Sequence, residues 1–213
     1  MRCIYVYIRI LLKYARTKST NWELDVRSPL IIRAPWIEGS AGQKTLAIAE
    51  LVDLFPTLVE LANLPPVPAA EGLEGTSLVP ILKAPNAEAG VKTAAFAQYP
   101  RCPQFDMLRQ ATNWECLDVP NKNISHMGYT VRTRDARYTE WRRWSRCKAD
   151  WEDPSNLVAS ELYNHTGDTG LGRNAFESFE NVNLVHLPSS QPAVATLSQL
   201  LRAQFENSVT QEC

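Results

Sequence analysis

Tyr129, Val131 and Thr133 alternate with Thr130, Arg132 and Arg134 along one short stretch of the chain. Successive side chains of a strand point to opposite faces, so this run predicts a β-strand. After Asp135-Ala136 the run Arg137-Tyr138-Thr139-Glu140-Trp141 is again rich in aromatic and β-branched residues. Together the two runs predict a β-hairpin within residues 127–144. Asp-Ala is not a pair that favours positive φ at both turn positions, so a longer or bulged connection is expected.

The flanking patterns differ. Leu30-Ile31-Ile32, bounded by Pro29 and Pro35, is a short continuous apolar run of the kind that forms a strand buried on both faces of an α/β sheet. Residues 45–52 form a second short strand or the approach to a helix. Asp53 is placed to cap that helix and Pro56 to sit in its first turn, while Leu54, Leu58 and Leu61 with Phe55 and Ala62 form its apolar stripe. Pro65-Pro66 ends it. Residues 67–90 are rich in Pro, Ala, Gly and Glu, which predicts a surface excursion with a short turn at 77–82. A strand is expected at 93–99, ended by Pro100, and another at 160–163. Gln191 to Phe205 places Val194, Leu197, Leu200, Leu201 and Phe205 on one helical face. The fold class is therefore α/β followed by α+β: an α/β stretch, then three or four antiparallel strands with one packed helix.

The chain has 213 residues, 45% of them hydrophobic, enough for a sizeable core. Lys and Arg total 22 against 23 for Asp and Glu, so no global field draws it to nucleic acid or an anionic membrane. Strand alternation sends the arginines at 132, 134, 137, 142, 143 and 146 to different faces, as solvated or ion-paired groups. The first sixteen residues, MRCIYVYIRILLKYAR, are too short to span a bilayer and lack a small-residue cleavage site, so neither a membrane span nor a convincing signal peptide is expected. The five cysteines include no C-x-x-C pair, and no zinc site is expected. Cys102 and Cys116 bracket a loop of little periodicity that a disulfide would restrain; free thiols are the alternative. Asn123 and Asn164 head glycosylation sequons that matter only in the secretory pathway. His126, His165 and His186 are scattered and are expected to be surface or packing residues rather than metal ligands. The turn at 165–170 is expected to be structural, rigidified by Asp168 and Asn174.

Four segments, in order, resemble the carboxy-terminal part of the sulfatase family, of the iduronate-2-sulfatase type. They are residues 18–35 (KSTNWELDVRSPLIIRAP), 53–64 (DLFPTLVELANL), 127–144 (MGYTVRTRDARYTEWRRW) and 160–174 (SELYNHTGDTGLGRN). The resemblance implies an alkaline-phosphatase-like fold and the following division: residues 1–16 a non-matching leader, 17–64 the end of a large α/β domain, 65–91 a linker, and 92–208 a smaller antiparallel-sheet unit. It implies sulfuric ester hydrolysis of sulfated sugars or glycans in the intact family, through a formylglycine made from C-x-P-S-R and a calcium ion. Cys102, followed by Pro-Gln-Phe, comes nearest to that motif without matching it. The metal ligands have no counterpart here, and Lys18 alone aligns with a family residue that contacts the sulfate. Lysosomal or secreted location follows from the same resemblance. The expectation is a carboxy-terminal sulfatase portion inactive alone; the alternative is a non-catalytic module that binds sulfated glycans or serves structure.

Overall fold

The computed structural model describes residues 5–8, 20–85, 91–102, 116, 119–145, 148–169 and 179–206. The chain divides into two compact units, Met1–Ala15 with Arg27–Ala95, and Arg16–Val26 with Phe96–Cys213. Residues 20–26, grouped by the sequence with the α/β stretch that follows them, fold instead with the second unit.

In the first unit, β2 (Leu30–Arg33) pairs antiparallel with β1 (Tyr5–Ile8). Expected to be buried on both faces, β2 alternates instead, and Ile31 is 52% exposed. It belongs to a two-stranded ribbon rather than the middle of a wide sheet. Residues 45–52 form no further strand beyond a single bridge from Ile48 to Lys92, and Leu51–Asp53 makes a 3-10 turn into α2 (Leu54–Leu61). The expected surface excursion contains α3 (Val79–Lys83), with Leu78, Val79 and Ile81 buried. Ala34, Leu61 and Val79 form the unit's apolar core, with Ile32, Trp36, Ile37 and Leu82 packed against it.

The inward face of α2 is not the apolar stripe read from the sequence. Asp53, Thr57 and Leu61 are buried, whereas Phe55 is 54% exposed and Leu58 also faces outward. The reason is hydrogen bonding. The Asp53 carboxylate accepts from the backbone N–H groups of Glu50 and Thr76, each at 2.8 Å, and pairs with Lys92 at 2.6 Å. It therefore closes back onto Glu50 instead of capping α2. The Thr57 hydroxyl donates to the Asp53 carbonyl at 2.6 Å and accepts from the Leu78 N–H at 2.8 Å. A leucine turned inward would leave those backbone donors unsatisfied.

The second unit is a sheet in the order β3 (Ala94–Arg101), β4 (His126–Thr133), β5 (Ala136–Ser145), with β7 (Leu157–Asn164) on the far side of β5 and the two-residue β6 (Lys148–Ala149) beside the end of β5. β4, β5 and β7 are antiparallel. β3 runs through Pro100 rather than ending there, as an outer strand permits, because an N–H on its open side has no ladder partner to lose. The hairpin pairs Arg132 with Arg137 and Met127 with Arg142. Arg132 and Arg137 are the last registered pair, so residues 133–136 make the longer connection that Asp-Ala predicts, without positive φ; within it the Thr133 hydroxyl accepts from the Ala136 N–H and donates to the Ala136 carbonyl, both at 3.2 Å.

The carboxy-terminal helix α4 (Gln191–Phe205) lies on β4 and β5. Leu197 and Leu201 are buried and Phe205 meets Phe96 and Tyr129, while Leu200, expected on the same face, is 38% exposed. Ser198 and Tyr138 both donate to Glu140 Oε1, at 2.5 and 3.0 Å, and Arg142 reaches Glu140 Oε2 at 2.7 Å. Cys102 and Cys116 are joined by a disulfide with Cα atoms 5.9 Å apart. No helix among the described residues is long and apolar enough to cross a membrane.

Leu201→Ala is expected to destabilise the second unit by about 2–5 kcal/mol in chemical denaturation, whereas Leu200→Ala costs less than about 1 kcal/mol. Equal losses would mean that the helix is rotated from this packing.

Candidate functional site

The two strands of the hairpin carry buried arginines opposite one another, and these organise a cluster of charge. Arg137 on β5 is fully buried. Its Nε donates to Glu180 Oε1, its guanidinium reaches the Thr139 hydroxyl at 2.8 Å and lies 3.8 Å from Glu161, and its cation sits 4.8 Å over the ring of Tyr163. Arg132 on β4 bonds Glu23 Oε2 at 2.9 Å and approaches Asp168 Oδ2 at 3.5 Å. Charges removed from water this far persist only when paired, and the chain pairs them in sequence from five separate segments.

His165, 1% exposed, stands at the centre. Its Nδ1 lies 3.0 Å from Asp168 Oδ2, its Nε2 lies 3.2 Å from Glu180 Oε1, and its ring stacks on Phe179. Burial alone would push the Glu180 carboxyl upward, but the His165 and Arg137 hydrogen bonds outweigh it and hold the group below the usual glutamate range.

The cluster also fixes the segment that enters from the amino-terminal side. Glu23 opens the short helix α1 (Glu23–Val26), and its backbone N–H donates to Glu180 Oε2 at 3.0 Å while its side chain holds Arg132. Two residues earlier, the buried Asn21 donates from Nδ2 to the Gly128 carbonyl at 2.9 Å. Gly128 must be glycine: a Cβ there would stand 2.6 Å from both Asn21 Nδ2 and the Trp141 ring. Residues 20–26 are thus sewn to the sheet by backbone and side-chain bonds together.

Glu23, His165 and Asp168 offer three ligand atoms within 4.8 Å of one another, the one grouping among the described residues that could hold a cation. They do not suit calcium. That ion takes roughly six to eight oxygen ligands, whereas one donor here is a ring nitrogen already bonded to a carboxylate, and Arg132 fills the space between Glu23 and Asp168. The guanidinium does the neutralising that a metal would do.

The residues read from the sequence fall as follows. Lys18 and Asn174 lie outside the described residues. Cys102 is bonded to Cys116, and in that form its sulfur is closed to conversion into an aldehyde. Asn123 and Asn164 are exposed, Asn164 Oδ1 accepting from the Thr166 N–H at 2.8 Å. His126 and His186 stand apart from the cluster, His126 against the Ser125 hydroxyl at 2.9 Å. The Asp168 carboxylate, expected to bond the backbone of its turn, meets the side chains of His165 and Arg132, while Asn164 makes the side-chain bond to the turn's backbone at Thr166. Sequence reasoning missed Glu23 and Glu180; the one available signal was an arginine on each hairpin strand at facing register, which demands acids from elsewhere. An open groove of about 510 Å³ between Trp36, Ile37, Leu61 and Lys83 carries no such convergence.

No protein-family profile matches the chain. It is 32% identical to iduronate 2-sulfatase of Mus musculus in an alignment 178 residues long that covers 75% of this chain and 30% of that protein. The Homo sapiens iduronate 2-sulfatase is 30% identical in an alignment 163 residues long that covers 68% of this chain and 28% of that protein. Steryl-sulfatase of Homo sapiens is 37% identical over 70 residues, 33% of this chain and 12% of that protein. The chain is a sulfatase homologue. It spans about 30% of the length of the iduronate 2-sulfatases it matches. The structure superposes on phosphonate monoester hydrolase SpPMH from Silicibacter pomeroyi with a TM-score of 0.56 and 22% identity, over 91% of this chain and 32% of that one. The sulfatase homologue thus shares the fold of part of that hydrolase.

Glu180→Gln is expected to cost about 2–4 kcal/mol at neutral pH. Because the folded Glu180 sits below its ordinary value, its contribution is complete above that value and is lost as pH falls through the folded one. The gap between wild type and variant in urea titrations should therefore close as pH falls through and below the ordinary glutamate range. A gap that stays constant would show that Glu180 is not held ionised. Millimolar calcium should leave the melting temperature of the chain unchanged; a rise that depends on Asp168 would contradict the assignment of Arg132 as the neutralising group.

Proposed function

We propose that the chain supplies the carboxy-terminal part of a sulfatase that hydrolyses the sulfate esters of sulfated sugars or glycans. The observation that carries this reading is the clasp on residues 20–26: the sheet unit holds, through Glu23 and Asn21, the segment that begins two residues after Lys18. Under the resemblance, Lys18 contacts the substrate sulfate, and the clasp's work is to fix the strand of chain that presents it. An ammonium group neutralises sulfate charge but supplies no nucleophile. The calcium ion and the formylglycine belong, on this reading, to the remaining two thirds of the enzyme, and no step is assigned to them here.

The alternative of a free-standing glycan-binding module needs exposed cations on the hairpin. Arg132, Arg137 and Arg142 are instead held in ion pairs, with Arg142 also packed 4.3 Å over Trp151, which leaves Arg134 and Arg143 as the exposed hairpin cations among the described residues. Passage through the secretory pathway, with the lysosome or the exterior as destination, is supported by the Cys102–Cys116 disulfide and by the exposure of both sequon asparagines.

The chain alone is expected to give no turnover of an aryl sulfate in calcium. Mixed with the amino-terminal two thirds of the mouse iduronate 2-sulfatase, it should restore hydrolysis, and Lys18→Ala should reduce it by about a hundredfold. Hydrolysis by the chain alone, or none by the mixture, overturns the reading.

A further inference from the structure

The two glycosylation sequons meet different fates in the fold. In the triplet at 123–125 the Ser125 hydroxyl and N–H both donate to the Arg101 carbonyl, at 3.0 and 2.9 Å, and the Ser125 carbonyl accepts from the Trp144 N–H at 2.9 Å. Ile124, the middle residue, is buried. Formation of the sheet therefore withdraws the hydroxyl that a sequon requires, although Asn123 itself stays exposed. The triplet at 164–166 is built the other way. His165 is the part taken inward, where Asp168 and Glu180 hold its ring and the Asp135 carbonyl accepts its backbone N–H at 2.8 Å. Asn164 and Thr166 stay exposed on either side of it, tied by the bond from the Thr166 N–H to Asn164 Oδ1 at 2.8 Å. That bond shapes the triplet without drawing on the asparagine's amide nitrogen or the threonine hydroxyl, the two groups a sequon must present. Gly167 follows at φ 83°, with open space where a Cβ would stand.

A second observation concerns what lies beside Asn164. Among the described residues, the outer side of β7 is met by Asn183, which bonds the Leu162 N–H at 2.9 Å and the Ser160 carbonyl at 3.1 Å, and by the Leu184 N–H, which donates to the Leu162 carbonyl at 2.8 Å. Glu180 reaches His165. With residue 184 held at 162 and residue 180 at 165, this segment runs opposite to β7 and brings Val182 level with the strand's end at Asn164. Val182 is 66% exposed. A lone open valine is ordinary, but one at the end of an outer strand marks a place where another chain can add, and natural sheets cover such edges. We propose that Asn164 carries an N-linked oligosaccharide whose first sugars cover Val182 and the outer end of β7. In the transfer, Asn164 Nδ2 bonds to C1 of a sugar in a lipid-linked pyrophosphate oligosaccharide, the bond from that carbon to the pyrophosphate breaks, the lipid pyrophosphate leaves, and the amide gives one proton to the transferase. The inference rests on the secretory route proposed above and is independent of the reaction the intact enzyme performs.

The test expresses the full chain behind an added secretion signal in cultured animal cells and recovers it from both lysate and medium, so that a failure to leave the cell does not hide the result. Peptide N-glycosidase should shift the mass of the peptide that contains Asn164, leaving an aspartate where the sugar-bearing asparagine stood, while Asn123 is recovered unchanged. Thr166→Ala keeps the backbone bond to Asn164 and should abolish the modification; Thr166→Ser should restore it. Hydroxyl-radical labelling of Val182 should be low in the glycosylated chain and rise once the sugar has been removed enzymatically. An unmodified Asn164, a modification that survives Thr166→Ala, or Asn123 modified as fully as Asn164 overturns the assignment of the site. Labelling of Val182 indifferent to the sugar overturns its covering role. Because the added signal supplies the route, an unmodified Asn164 counts against this site and leaves the proposed location of the natural protein untouched.

Discussion

Arg137 is the group on which the second unit turns. A guanidinium with no exposure, in the strand that pairs on both sides, has no route to water and must be answered where it stands. The answer comes from Glu180, far along the chain, and Glu180 in turn receives His165 and the backbone of Glu23. Desolvating so many charges costs several kcal/mol per ion before their attraction is counted, so the cluster is a weak source of net stability. Its effect is on geometry. Each acid has one arrangement in which its donors are met, and a slip of any segment would strand a buried charge. Specificity of assembly is bought this way rather than by apolar contact.

The two units meet the same demand differently. The second closes on itself: α4 covers β4 and β5, and Ser198 and Tyr138 meet Glu140 at the join. The first turns polar groups inward, where Asp53 and Thr57 serve as connectors for residues 50 and 76–78, and leaves aliphatic and aromatic groups on its outer helical face. That inversion follows from the backbone donors of residues 50, 76 and 78, which the inner side has to satisfy.

The same inversion explains what the sequence disclosed and what it concealed. Alternation at 129–133 located the hairpin because a strand's period is local, and the spacing of Leu197, Leu201 and Phe205 located α4 for the same reason. In α2 the period was right, but of the stripe Leu61 alone is fully buried, because Asp53 and Thr57 take the rest of the inward face. Pro100 misled because its effect depends on whether the strand is inner or outer, which no single stretch reveals. The clasp was hidden for a different reason. Its members at 23, 132, 137, 165, 168 and 180 share no spacing, and only the folded register makes Arg132 and Arg137 neighbours. The four sulfatase-like segments, by contrast, were legible as order and composition, which survive without any knowledge of contacts.

Pro100 has one more effect. An outer strand offers its open row of amides to any extended chain that drifts alongside, and β3 would be such an offer. With an imino acid near its end the row is interrupted, so a visiting strand cannot complete a ladder there. Among the described residues, β3 thereby carries its own deterrent against growing into ribbons with a neighbour.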